Sequence, residues 1–162
     1  MKKLIITRHG KAAWSDYEHD CQRKLTKKGE KRNALLGDFL KERQVFPDLI
    51  ISSNARRALD TAKIVAAKLD YSQDKIQIDE SIYGAYLDTL LNIIYAIDNQ
   101  YDTVFLFGHN PTFTNLVNYF KAEKIPHLRT SGSYGVAFDV DRWEDIEHAH
   151  RQDLFFVVPR EK

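Results

Sequence analysis

Two histidines and two arginines stand in surroundings suited to phosphoryl chemistry. They lie in Arg8-His9-Gly10 near the start, Arg57 at the end of Ser53-Asn54-Ala55-Arg56-Arg57, and His109 in Gly108-His109-Asn110-Pro111. Phosphoryl transfer spreads negative charge over the equatorial oxygens while the attacking and leaving atoms stay in line, so it needs a nucleophile among fixed positive donors. A guanidinium presents a planar fork that fits phosphate oxygens and keeps its charge at any relevant pH. An imidazole near neutral pH can serve as a neutral nucleophile or a charged stabiliser. Adjacent strand residues point to opposite faces, so Arg8 and His9 reach one anion only if the chain bends after them. Gly10 permits that bend and is expected to lend its own N–H to the anion.

These residues must be delivered by the elements that precede them. Residues 3–7, 49–52 and 103–107 are apolar, β-branched or aromatic runs that read as buried strands, and each ends just before one of the motifs. Between them run helical faces: Leu36, Phe39 and Leu40; Ala58, Ala62, Val65, Ala66 and Leu69; Leu87, Leu90, Leu91, Ile94 and Ile97. Asn110 is expected as an N-cap with Pro111 at the first helical position, continued by Phe113, Leu116, Val117 and Phe120. Residues 134–140 and 154–158 are further strand candidates, joined through Asp141-Arg142-Trp143 and placed as antiparallel neighbours at one side. The alternation predicts a three-layer α/β/α architecture with a mainly parallel sheet, in which ligands bind beyond the carboxyl ends of the strands.

The chain has 162 residues, 43% of them apolar and 29% charged, which predicts a single domain over 1–162 with a real core. With 24 Lys and Arg against 23 Asp and Glu the net charge is +1, so no global attraction to nucleic acid or an anionic membrane is expected. There is no apolar run of about 18 residues to span a bilayer. The single cysteine, Cys21, cannot form an internal disulfide and has no evident helper for a thiolate, and the expected compartment is a reducing cytoplasm. His148-Ala149-His150 is too sparse for a metal site.

Arg8-His9-Gly10 at the end of the first strand resembles the signature of the histidine phosphatase superfamily, which includes phosphoglycerate mutases and acid phosphatases. Ser53-Asn54-Ala55-Arg56-Arg57-Ala58-Leu59-Asp60-Thr61-Ala62 is similar to that family's Ser-Pro-x-x-Arg-Ala-x-x-Thr-Ala segment, departing from it at Asn54 and Asp60. Gly108-His109-Asn110-Pro111 resembles the segment of the second catalytic histidine. Trp14-Ser15, the stretch from His19 to Gly29 and the ending from Phe155 to Arg160 look like the SixA-type phosphohistidine phosphatases.

The resemblance implies a phosphoglycerate mutase-like fold and a phosphohistidine intermediate on His9. Arg8, Arg57 and His109 would hold the phosphoryl oxygens, with neither metal nor cofactor. Arg57 takes the role of second phosphate arginine, with Arg56 beside it as the competing choice. Glu80 sits where mutase relatives place an acidic proton donor, although SixA-type members are thought to work without one. The implied substrate is a phosphorylated protein, such as a histidine-phosphotransfer domain; the rival is a small phosphoester, and a reading of another class is a non-catalytic phosphate-binding module. Arg23, Lys24, Lys27, Lys28, Lys31 and Arg32 form a basic run that reads either as a solvated helix start or as a rim for an acidic or phosphorylated partner. Arg23 is the preferred phosphate-binding member of that run. Trp14 and Tyr17 are candidates to line the entrance, against the commoner fate of aromatics as packing residues.

Overall fold

The apolar runs and helical faces alternate along the chain, and in the computed structural model, which describes residues 1–14 and 19–160, they form one sheet with helices on both faces. The elements in order are β1 (Lys2–Arg8), α1 (Lys27–Glu42), β2 (Leu49–Ser52), α2 (Arg56–Lys68), β3 (Gln77–Ile78), α3 (Leu87–Tyr95), β4 (Thr103–Gly108), α4 (Thr112–Phe120), β5 (Ser133–Phe138) and β6 (Arg151–Val157). The sheet order is β3-β2-β4-β1-β5-β6. The first four strands are mutually parallel, whereas β5 runs antiparallel to β1 and β6 antiparallel to β5.

Both faces of the central strands are apolar because both are covered. Ile5, Ile50, Phe105 and Phe107 pack with Leu36 and Leu40 of α1 and Ala62 and Val65 of α2. The alternate residues Leu4, Ile6, Ile51, Val104 and Leu106 pack on the other face with Leu90 and Ile94 of α3 and Phe113 and Leu116 of α4. The period of two along each strand therefore assigns its side chains to the two helical layers. Among the described residues no helix is long and apolar enough to cross a membrane.

Several boundaries differ from the sequence expectation. Helix α1 begins at Lys27, well before its apolar face, because Thr26 caps it, its hydroxyl accepting the Gly29 N–H at 3.0 Å. The basic residues Lys27, Lys28, Lys31 and Arg32 therefore lie in its first turns. Helix α4 starts at Thr112 with Pro111 in the cap position, while the Asn110 carboxamide oxygen accepts the Thr114 N–H at 3.1 Å. Asn110 thus caps the helix from one residue further out than the sequence suggests. Helix α3 stops at Tyr95, leaving Ile97 to pack beyond its end. Strand β3 is two exposed residues with no apolar pattern to announce it. Strand β6 begins at Arg151, its first three residues exposed and polar, and Trp143 in the preceding 3-10 helix is buried with its indole N–H donating to the Tyr101 carbonyl at 2.8 Å.

Candidate active site

The parallel pairing of β1 with β4 sets Arg8 opposite Gly108, so His9 and His109 leave two adjacent strand ends. The His9 N–H donates to the Gly108 carbonyl at 3.0 Å, and the two imidazole centroids lie 5.3 Å apart. Gly108 is required by close approach: a Cβ there would meet the Phe113 ring at 2.4 Å. On the other side of β4, β2 ends at Ser52, the Ser53 N–H donates to the Phe107 carbonyl at 3.1 Å, and α2 starts three residues on. The first turn of α2 turns the Arg57 guanidinium inward, 6% exposed, with its Nε–H donating to His9 Nε2 at 3.3 Å. Arg56 points outward to Asp60 at 3.5 Å, which decides between the two arginines by geometry.

The hydrogen bonds fix the tautomer of His9. Its Nδ1 lies 2.7 Å from the Gly10 carbonyl, which can only accept, so the proton is on Nδ1 and the lone pair is on Nε2. Burial lowers its pKa to about 3, outweighing the Gly10 hydrogen bond, and His109, Arg57 and Arg8 add repulsion of the charged form. His9 is therefore a neutral imidazole whose Nε2 lone pair accepts from Arg57. His109 Nε2 lies 2.8 Å from Ser53 Oγ, which already accepts the Ala55 N–H at 3.1 Å. Either atom of that pair can donate, since a hydroxyl oxygen accepts twice, and His109 Nδ1 is a buried atom with no hydrogen-bond partner among the described residues. A buried ring nitrogen without a partner is costly, and with the proton on Nδ1 an anion oxygen would satisfy it. Burial, followed by the charge of Arg57, lowers the His109 pKa to about 4.

Arg8 turns away from β1 toward the loop before β5, where Nη1 donates to the Leu128 carbonyl at 3.1 Å and lies 3.2 Å from His127 Nε2. Its Nε is buried and has no hydrogen-bond partner among the described residues. Burial, then repulsion from Arg57, lowers its pKa.

Gly10 differs from the expectation. Its N–H donates to Thr61 Oγ1 at 2.9 Å and is not free for an anion, and its backbone is not left-handed. Its contribution is its carbonyl, which orients His9, and its lack of a Cβ, which would stand 2.7 Å from Asn33 Nδ2. Thr61 Oγ1 in turn accepts from Asn33 at 3.0 Å and donates to the Arg57 carbonyl at 2.7 Å, while Ser131 donates to Asn33 at 2.6 Å. One buried network thus ties the His9 turn to α1, α2 and the loop before β5.

Sequence reasoning did not single out Asp20 or Tyr83. Arg57 Nη1 donates to the Asp20 carbonyl at 2.7 Å and Nη2 to its carboxylate at 2.9 Å. The Tyr83 hydroxyl donates to the same carboxylate, and its ring stands edge-on to His109 with centroids 5.4 Å apart. The Tyr83 hydroxyl foremost, with Arg57 and Arg23, holds the Asp20 carboxyl down to about 2. Asp20 occurs in the family-like stretch, but no periodicity points from it to Arg57.

Arg23 reaches Asp20 Oδ1 at 3.2 Å and the Ala13 carbonyl at 3.0 Å and stacks over Trp14 at 5.0 Å, one shell outside the histidines. Glu80 is exposed in a short 3-10 helix (Glu80–Ile82), and Tyr83, just after it, packs its ring against His109. Ser15 and Tyr17 lie outside the described residues. Among the described residues no three His, Cys, Asp or Glu side chains gather into a metal-binding group.

A family model described as the histidine phosphatase superfamily (branch 1) matches residues 4–88. Phosphoglycerate mutase 1 of Saccharomyces cerevisiae is 37% identical over 73 residues, 43% of this chain and 30% of the yeast protein. The chain thus spans about a third of the length of the mutases that it matches. A SixA protein of Agrobacterium tumefaciens superposes with a TM-score of 0.80 at 26% identity over 98% of both chains. The protein histidine phosphatase SixA solved with tungstate superposes with a TM-score of 0.81 at 22% identity, covering 97% of each chain, a likeness of fold that makes the architecture phosphoglycerate mutase-like.

Proposed function

Because the chain belongs to the histidine phosphatase superfamily, we propose that it is a phosphatase that removes the phosphoryl group from phosphohistidine in a protein, such as a histidine-phosphotransfer domain, through a covalent intermediate on His9. The lone pair of His9 Nε2 attacks phosphorus as the bond from phosphorus to the substrate imidazole breaks, and that imidazole takes its proton from solvent. Arg8, Arg57 and the Nδ1–H of His109 hold the equatorial oxygens, Arg57 exchanging its contacts with His9 Nε2 and Asp20 for the phosphoryl group. Water then attacks the phosphohistidine in line, the P–Nε2 bond breaks, phosphate leaves, and Nε2 regains its lone pair. The reading takes residues 1–162 as one catalytic domain and a reducing cytoplasm as its compartment.

The observation that carries the choice of substrate is the state of the carboxyl groups around His9. An alkoxide leaving group needs a proton in the transition state, whereas the imidazole of a phosphohistidine leaves readily. Asp20, the carboxyl group bonded to Arg57, is held ionised by Tyr83 and the arginines and has no proton to give. Glu80 is exposed.

Turnover of a phosphohistidine protein and of p-nitrophenyl phosphate by wild type, His9→Ala and Glu80→Gln tests this. His9→Ala is expected to lose at least roughly a thousandfold in kcat/KM on both substrates. Wild type mixed with the phosphohistidine protein should carry acid-labile phosphate on His9, and Glu80→Gln should stay within about threefold of wild type on that substrate. Retained turnover in His9→Ala removes the mechanism. A preference for the ester together with a large loss in Glu80→Gln removes the phosphohistidine substrate.

A further inference from the structure

Beside Arg8 lies a cleft of about 380 Å³ lined by Arg8, Lys11, Arg32, His127, Arg129 and Arg160, with no Asp or Glu in its wall among the described residues. Among the described residues no ion pair involves Lys11, Arg32, Arg129 or Arg160, whereas Lys2, Arg56, Arg57, Lys68 and Arg142 each have a carboxylate. Two guanidinium nitrogens here, Arg8 Nε and Arg32 Nε, are buried without a hydrogen-bond partner among the described residues. In a chain whose net charge is only +1, this is a local concentration of uncompensated positive charge. Like charges gathered without counter-charges repel, and buried donors without acceptors are costly, so the arrangement is satisfied by an anionic ligand.

We propose that this cleft is a second anion subsite, receiving acidic side chains that flank the phosphorylated residue of a protein substrate; the proposal rests on the reading of the chain as a protein phosphatase. Arg8, next in sequence to His9, lines the cleft, which adjoins the histidine site through this one residue; His9, Arg57 and His109 are not in its wall. The cations come from four separate segments: the turn after β1, α1, the loop before β5, and the tail after β6. Lys11, His127, Arg129 and Arg160 are exposed, and the volume is several times that of one phosphate. An extended ligand with several carboxylates meets all four segments, as one small anion cannot.

The test uses the full chain and a fluorescein-labelled peptide rich in Asp and Glu, free of phosphate, followed by anisotropy at low ionic strength with and without saturating orthovanadate. Wild type should bind the peptide, hold it when vanadate is present, and release it as salt rises. The triple variant Arg32→Gln, Arg129→Gln, Arg160→Gln should bind at least tenfold more weakly with an unchanged melting temperature. If the triple variant is unstable, the exposed single variant Arg160→Gln should still weaken binding several-fold. The proposal is overturned by absence of wild-type binding, by equal binding of the variants, by displacement with vanadate, or by tighter binding of pyrophosphate than of the peptide. Because the peptide carries no phosphohistidine, loss of phosphohistidine turnover with retained peptide binding overturns only the earlier reading. Loss of peptide binding with retained turnover overturns only this one.

Discussion

Asp20 is the residue that occupies Arg57 beside His9, because its carboxylate and carbonyl together take both terminal nitrogens of the guanidinium. A carboxylate held ionised beside a guanidinium is an anion in the place that a phosphoryl group needs. Substrate must therefore compete with it for the same donors. Its side chain is 43% exposed, so solvent screens the pair and moderates that competition. Asp20→Asn keeps the shape and removes the charge, and it should tighten inhibition by inorganic phosphate and orthovanadate by roughly three- to tenfold. Steady-state inhibition constants measure this. Weaker inhibition in Asp20→Asn would show that the carboxylate supports anion binding rather than opposing it.

The site is held by the ends of elements, and Thr61 on α2 is where they meet. Its hydroxyl accepts from the Gly10 N–H and from Asn33 of α1, and it donates to the Arg57 carbonyl one turn earlier. Thr61→Val preserves volume and leaves the buried Gly10 N–H without an acceptor. The expected loss is about 1–3 kcal/mol of unfolding free energy, read as a lower urea midpoint with unchanged slope. Turnover should fall with it, because the Gly10 carbonyl orients His9. An unchanged midpoint would mean that the turn after β1 is held by β1 and β4 alone. The element that sequence reading recovers least is β3, whose two residues owe their strand conformation to pairing with β2. Neither Gln77 nor Ile78 carries a pattern of its own, since periodicity reports burial and this edge is exposed.

For the molecule as a whole, the two neutral histidines make stability depend on acid. His9 is lowered to about 3 and His109 to about 4, chiefly by burial, from the ordinary value near 6.5 that they regain on unfolding. Below about 6.5 the unfolded chain binds protons that the folded one refuses, so stability rises with pH there. It is complete above about 6.5 and falls as pH drops toward 4. Melting temperatures between pH 7 and 4 should decline more steeply in wild type than in the double variant His9→Gln, His109→Gln. Equal slopes would mean that these imidazoles are not the acid-sensitive groups.

The sequence by itself determined which candidate groups stand at the strand ends and the order of the elements that carry them. Apolar runs covered on both faces mark β1, β2 and β4, each motif follows such a run, and strand ends in a parallel sheet face the same way. It left open which of Arg56 and Arg57 faces inward, whether the Gly10 N–H is free, and that Asp20 holds Arg57 and Tyr83 stands against His109. Those are decided by the rotation of the first turn of α2, by the approach of Asn33 and Thr61, and by segments that meet across 37 and 63 residues. Local pattern records which side of an element is buried; only the assembled fold decides which neighbour it is buried against.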